Sequence, residues 1–201
     1  MKLKLAAALV VAACAGTAYC GTIDFSANPG ALGTSQVYGT APATVTVYGY
    51  DVAGTTLTAS RLFGKSGGGT EHGVGLKDNT PDHEISKTNA VQIDLANISG
   101  AFSLIIGSTQ NSEGFLYCLS NTLGSLGSCT DVAGAGGVDP YTLSLTKTDR
   151  YISIEGDGTP ASGNVLLDSL SYSPVPEPSS LLLFGTGILS AAGVIRRKLA
   201  A

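Results

Sequence analysis

Val91-Gln92-Ile93-Asp94-Leu95-Ala96, the Ser99-Gly100 break, and Phe102-Ser103-Leu104-Ile105-Ile106 together decide the fold class of this chain. Successive side chains of an extended strand point to opposite faces. Val91, Ile93 and Leu95 therefore share one face, and Phe102, Leu104 and Ile106 share one face of a second strand. The Ser-Gly pair between them suits a turn. The same period recurs elsewhere. Val45, Val47 and Gly49 alternate with Thr44, Thr46, Tyr48 and Tyr50, and Tyr141, Leu143 and Leu145 with Thr142, Ser144 and Thr146. Ile152 and Ile154 follow the Thr148-Asp149-Arg150 turn, and residues 165–172 form a last strand. Weaker candidates lie at 22–25, 55–63, 73–76 and 114–119. About ten short strands with turn residues between them predict an all-β antiparallel β-sandwich, jelly-roll-like in connectivity.

Composition agrees. Gly is abundant at 27 residues and Trp is absent, which suits short strands and many turns. Only 13% of residues are charged and the net charge is −4, so no basic surface for nucleic acid is expected.

The two ends read differently from the middle. Lys2 and Lys4 precede an apolar run at 5–13 and then small residues, the pattern of a secretory signal peptide over residues 1–20. Gly16-Thr17-Ala18 and Ala18-Tyr19-Cys20 are the candidate cleavage sites. A competing reading takes Val11-Ala12-Ala13-Cys14, which resembles a lipobox, and would leave Cys14 as a lipidated N-terminus. At the other end stands Pro174-Val175-Pro176-Glu177-Pro178-Ser179-Ser180, then an uncharged run at 181–195, then Arg196-Arg197-Lys198. Pro176 and Pro178 hold the motif extended, and Ser179 or Ser180 can cap a following helix. The apolar run is about as short as a bilayer-spanning helix can be. The basic cluster should stay cytoplasmic, leaving everything before the run outside. Residues 21–173 would then form the ectodomain, long enough for one domain with its own core.

This tail resembles the PEP-CTERM domain that bacterial exosortases recognise and cleave. The resemblance rests on Val175, Pro176, Glu177, Pro178 and Ser179 as the sorting motif, with Arg196, Arg197 and Lys198 as the stop-transfer cluster. It implies an exported precursor anchored in the inner membrane by a C-terminal helix, with the general export machinery and exosortase as partners. The implied destination is the cell surface or an extracellular polysaccharide or biofilm matrix. Stretches of the middle region are also similar to the ectodomain of many PEP-CTERM proteins: Gly73-Val74-Gly75-Leu76 leading to Asp82-His83-Glu84-Ile85, Ile106-Gly107-Ser108 leading to Glu113-Gly114-Phe115, and Asn164-Val165-Leu166-Leu167-Asp168. That family carries no agreed activity.

Cys118 and Cys129 stand eleven apart across a Ser- and Gly-rich segment, and export makes a disulfide the expected state. Chemical groups are densest at 67–84, with Gly67-Gly68-Gly69, His72, His83, Glu71, Asp78, Asn79, Asp82 and Glu84. Oxygen ligands in this number suit Ca²⁺, and His beside carboxylates suits a transition metal or acid–base work. The spacings match no metal motif, the Gly triplet lacks the Lys-Ser/Thr of a phosphate loop, and a solvated connection between strands is the plainer reading. Asp168 in the last strand is a further candidate for a loop cation, and Asn97-Ile98-Ser99 fits a glycosylation sequon. No nucleophile elbow, triad or carboxylate pair is legible, so the expectation is a non-enzymatic protein with no catalytic residues, no metal and no cofactor. Tyr48, Tyr50, Tyr117 and Tyr141 are the candidate sugar platforms of a carbohydrate-binding module, the alternative reading. A polysaccharide hydrolase using Glu71 and Glu84 is the third.

Overall fold

The computed structural model describes residues 21–78, 82–109, 113–132, 138–157 and 164–173, with isolated positions at 185, 187, 188 and 195. The expected signal peptide, the sorting motif, the basic cluster and most of the apolar run lie outside the described residues. Among the described residues no helix is long and apolar enough to cross a membrane. The strands all belong to one compact unit within Cys20–Ser173.

Among the described residues fourteen strands follow one another. They are β1 (Gly21–Asp24), β2 (Gly30–Ala31), β3 (Ser35–Thr40), β4 (Ala43–Ala53), β5 (Thr56–Ser60), β6 (Leu62–Ser66) and β7 (His72–Leu76), then β8 (Asn89–Asp94), β9 (Ala101–Gly107), β10 (Phe115–Ser120), β11 (Ser128–Val132), β12 (Tyr141–Thr146), β13 (Tyr151–Gly156) and β14 (Leu166–Tyr172). One antiparallel sheet, sheet A, has the order β12-β9-β14-β7-β6-β2, with β1 also on β14. Sheet B has the order β11-β10-β13-β8-β4-β3, with β5 also on β4. The long β4 pairs β3 through its first half and β5 through its second, against β8 on its other side. At Arg61 the chain leaves sheet B and enters sheet A, held there by Leu62 N–H donating to Gly33 O (3.0 Å) and Lys77 N–H donating to Arg61 O (2.7 Å).

The alternation seen in sequence becomes the core. Val47, Ile93, Phe115, Ile152 and Ile154 of sheet B meet Leu62, Val74, Leu104, Ile106 and Leu167 of sheet A in one cluster, all fully buried. Each such side chain contributes about 1.5–3 kcal/mol by leaving water. The turn between the two strands quoted first depends on Gly100, whose φ of 75° suits glycine.

More strands form than the alternation predicts, and the reasons are physical. The run 55–63 is two strands, because the chain changes sheets at Arg61. β3 contributes Tyr38 to the core while Val37 faces solvent, and β11 is almost wholly exposed, so neither carries an apolar period. Both exist by pairing along an edge.

The outer face of sheet B is partly closed by the connection at 121–127. Gln92, fully buried, donates through Nε2 to Ser125 O and Ser153 Oγ (both 3.0 Å) and accepts from Gly124 N–H (2.9 Å). At the root of this connection Cys118 and Cys129 face each other across β10 and β11 and are joined as a disulfide. Closing a loop of this length stabilises by about 2–3 kcal/mol in the chain-entropy model. Replacing both with Ser should therefore lower the melting temperature by roughly 5–10 °C, measured by circular dichroism. An unchanged melting temperature would remove the disulfide from the stability of the fold.

Candidate functional site

The region dense in chemical groups is organised by two glycines and a lysine. Gly73 and Gly75 sit in β7 opposite Lys65 and Phe63 of β6. A Cβ on Gly75 would lie 2.0 Å from His83 O, and one on Gly73 would lie 2.4 Å from Leu167 O. Only glycine lets neighbouring backbone approach β7 this closely. His83 then stacks its ring on Phe63 at 3.9 Å and donates through Nδ1 to Lys77 O (2.9 Å). Its φ of 59° is unusual for a residue with a side chain.

That placement aims Glu84 at Lys65. The Lys65 ammonium donates to Glu84 Oε1 and Glu71 Oε2, each at 2.5 Å. Ser108, just after β9 and with φ 57°, lies 3.0 Å from Glu71 Oε1 and 3.1 Å from Glu84 Oε1 through its Oγ. Glu84 is only 6% exposed. Burial pushes its carboxyl up and outweighs the pull of Lys65, with Glu71 adding repulsion. For Glu71 burial also disfavours the charge, but the bonds from Lys65, Ser108 and Glu84 prevail and hold it below the usual carboxylate range. Glu113, just before β10, is pushed up to about 7, by burial first and then by the charges of Glu84, Glu71, Asp139 and Asp157. Asp139 accepts from Thr109 N–H (3.2 Å) and from the hydroxyls of Thr109 and Thr70.

The predicted site residues thus separate. Glu71 and Glu84 come together. His72 goes elsewhere, with Nε2 3.3 Å from Asp168 Oδ1, whose carboxyl is raised by burial first, lowered by His72 and raised by Asp24. Asp78 forms an exposed ion pair with Arg61 (2.9 Å), Asp82 is exposed, and Asn79 lies outside the described residues. So 67–84 is not a plain solvated connection: 72–76 is a strand, and its flanks are pinned on Lys65. Chemically, the ammonium stands between two carboxylates where a bound cation would otherwise stand. Among the described residues no group of His, Cys, Asp and Glu is arranged to hold a metal ion. Lys65, Ser108 and Glu113 escaped sequence reasoning, since the pairing of β6 with β7 and the end of β9, not local spacing, bring them to this place. The candidate sugar platforms divide: Tyr117 and Tyr141 pack on the core, while Tyr48 and Tyr50 share the outer face of sheet B, Tyr48 half-buried and Tyr50 buried. The sequon side chain is also occupied, Asn97 Nδ2 donating to Thr44 O and Oγ1 (3.2 and 3.0 Å).

A second surface lies on the outer face of sheet A. Ser144, Ser103, Ser171 and Thr22 stand in register across β12, β9, β14 and β1. The Ser103–Ser144 and Ser171–Thr22 hydroxyls are each 3.0 Å apart. Ser144, Ser103 and Ser171, with Thr146, Ser173, Ala101, Phe102, Leu145 and Tyr172, line an open hollow of about 480 Å³ that contains no charged residue. The sequence signal was present as Ser and Thr on the outward phase of these strands.

Comparisons with known proteins bear on the tail first. Residues 174–198 match the PEP-CTERM protein-sorting motif. The chain carries a PEP-CTERM protein-sorting motif at its C-terminal end. The motif implies an exported, membrane-processed protein handled by exosortase. A search of curated proteins found no match. Among solved structures, the chain is similar to a family two carbohydrate esterase from Cellvibrio japonicus (12% identity, TM-score 0.32, 81% of this chain and 36% of that one). It is also similar to a rhamnosidase from Klebsiella oxytoca with rhamnose bound (14% identity, TM-score 0.36, 84% and 31%). The chain thus spans about a third of the length of these structures, and likenesses of this size carry no argument about activity.

The acidic surroundings of Glu113 make a pH prediction. Unfolded, this carboxyl releases its proton near 4.5; folded, it keeps it to about 7. The fold therefore holds an extra proton between those values, and stability falls as pH rises through that window. Glu113→Gln keeps a neutral side chain, so it should melt higher than the parent above pH 7 and converge with it near pH 4. Parallel melting curves across that range would contradict the assignment.

Proposed function

We propose that this PEP-CTERM protein is a non-enzymatic cell-surface or secreted module that associates with extracellular polysaccharide, as in an envelope or biofilm matrix. The general export machinery would deliver it, the inner membrane would hold it briefly through its C-terminal helix, and exosortase would process the tail. The sandwich is read as jelly-roll-like.

The observation that carries the polysaccharide reading is the uncharged hollow across β12, β9 and β14, where Ser103, Ser144, Ser171 and Thr146 stand beside Leu145 and Tyr172. Ser and Thr hydroxyls both donate and accept, as sugar hydroxyls do, so a row of them can exchange bonds with a glycan chain. Without charged residues in the hollow, neither neutral nor acidic sugars meet repulsion there. A hydrolase built on Glu71 and Glu84 is disfavoured, since both carboxylates already serve Lys65 and Glu84 is buried. Binding through this face also needs no Ca²⁺.

The test is co-sedimentation of the protein with the extracellular polysaccharide of its host. The parent should bind equally with and without chelator. Ser103→Leu combined with Ser171→Leu, which fills the hollow and removes two hydroxyls, should weaken binding by about tenfold. Failure of the parent to bind, or unaltered binding by the double variant, would overturn the reading.

A further inference from the structure

We propose that exosortase acts on this chain while seated against the end of sheet A where β14 stops, so that Gly21 and Thr22 of β1, Ala101 of β9, Thr146 of β12 and Ser173 form the surface that meets the protease. The chain leaves little slack for any other approach. Among the described residues Ser173 is the last one tied to the sheet, its N–H donating to Ala101 O (3.3 Å), and the sorting motif begins at residue 174. No spacer stands between the folded strand and the motif. Glu177, at the centre of Pro176-Glu177-Pro178, is four residues further on, so even a fully extended chain holds it within about 14 Å of Ser173. Folded domains have radii of gyration of about 13 Å or more, so a protease on the motif is brought against this end of the sheet.

Pulling the end of β14 out of the sheet would give more slack, but the fold opposes it. Tyr172 pairs with Gly21 on one side and with Phe102 on the other, so β14 is an interior strand to its last residue. The Tyr172 ring packs on the core, and its phenol fills the space where a Cβ on Gly21 would stand. Freeing this end would break pairing with both neighbours at once and expose the ring. The five residues named for the end surface are exposed or half-buried and carry no charge, so they repel neither a protease nor anionic lipid headgroups. The pairing of Gly21 with Tyr172 also sets the residue after the expected signal peptide beside the point where the tail departs.

That neighbourhood supplies the test. A small, stably folded domain inserted between Cys20 and Gly21 would crowd the start of the tail. The same domain inserted after Gly54 is the control. Ile23 packs against Gly39, which pairs with Thr44 at the start of β4, whereas Gly54 follows the far end of that strand, about 30 Å away. Each chain carries an epitope after Lys198, and loss of that epitope is followed by pulse-labelling in a host with active exosortase. The parent and the Gly54 insertion should lose it at the same rate, and the insertion before Gly21 should slow the loss about tenfold. Ten Gly and Ser residues added between Ser173 and Pro174, about 17 Å of flexible chain, should restore the slowed variant to the parent's rate, which a misfolded domain would not do. Loss from the Gly21 insertion as fast as from the parent, loss from the Gly54 insertion as slow as from the Gly21 one, or slow loss that the spacer does not restore would each overturn the proposal. A parent that keeps its tail would overturn processing itself and the proposal with it.

Discussion

The two-residue period of a strand forces each side chain either into the dry space between the sheets or onto an outer face, and the domain is organised by how completely this choice is made. Leu62, Val74, Leu104, Ile106 and Leu167 on one side, and Val47, Ile93, Ile152 and Ile154 on the other, form the apolar rows that face each other. The stability of a domain is a small difference between large terms, so these rows must stay in phase for the fold to exist. Once the inner faces are fixed, the outer faces are free to diverge. That of sheet B is partly closed by the connection at 121–127, bonded to Gln92 and tied by the disulfide. That of sheet A is left open, uncharged along its Ser and Thr rows.

Apart from the core stands the cluster on Lys65. A carboxylate as buried as Glu84 is costly unless compensated, and the compensation here is an ammonium from a neighbouring strand together with a serine hydroxyl. Gly73 and Gly75 make it possible by letting other segments lie directly against β7. The cluster therefore holds together the β6–β7 hairpin, the segment leading to β8 and the end of β9. Its role follows from packing rather than from an exposed reactive group.

Much of the fold was legible because burial imprints a period: β4, β8, β9, β12, β13 and β14 all announce themselves by alternation. β3 and β11 do not, because an edge strand with one buried side chain or none carries no period. The corner at Arg61 was also hidden, since a change of sheet needs neither Gly nor Pro when neighbouring backbone groups hold the bend. For the site, sequence density marked Glu71 and Glu84 among several polar groups at 67–84 but could not say that these two would meet each other, or that Lys65, Ser108 and Glu113 would join them. Those encounters depend on the register of β6 on β7 and on where β9 ends. The hydroxyl face was visible only as polar phase, since Ser and Thr on outer positions are commonplace until strands align them.

Export, membrane anchoring and removal of the tail rest on residues 174–198, so the most direct measurement is the fate of that tail. A chain carrying one epitope within the ectodomain and another after Lys198 should lose the C-terminal epitope from the surface fraction when the host's exosortase is active. It should keep both epitopes, membrane-bound, when the exosortase is deleted or when Pro176, Glu177 and Pro178 are replaced by Ala. Surface protein that retains the C-terminal epitope in the presence of active exosortase would contradict processing of this chain.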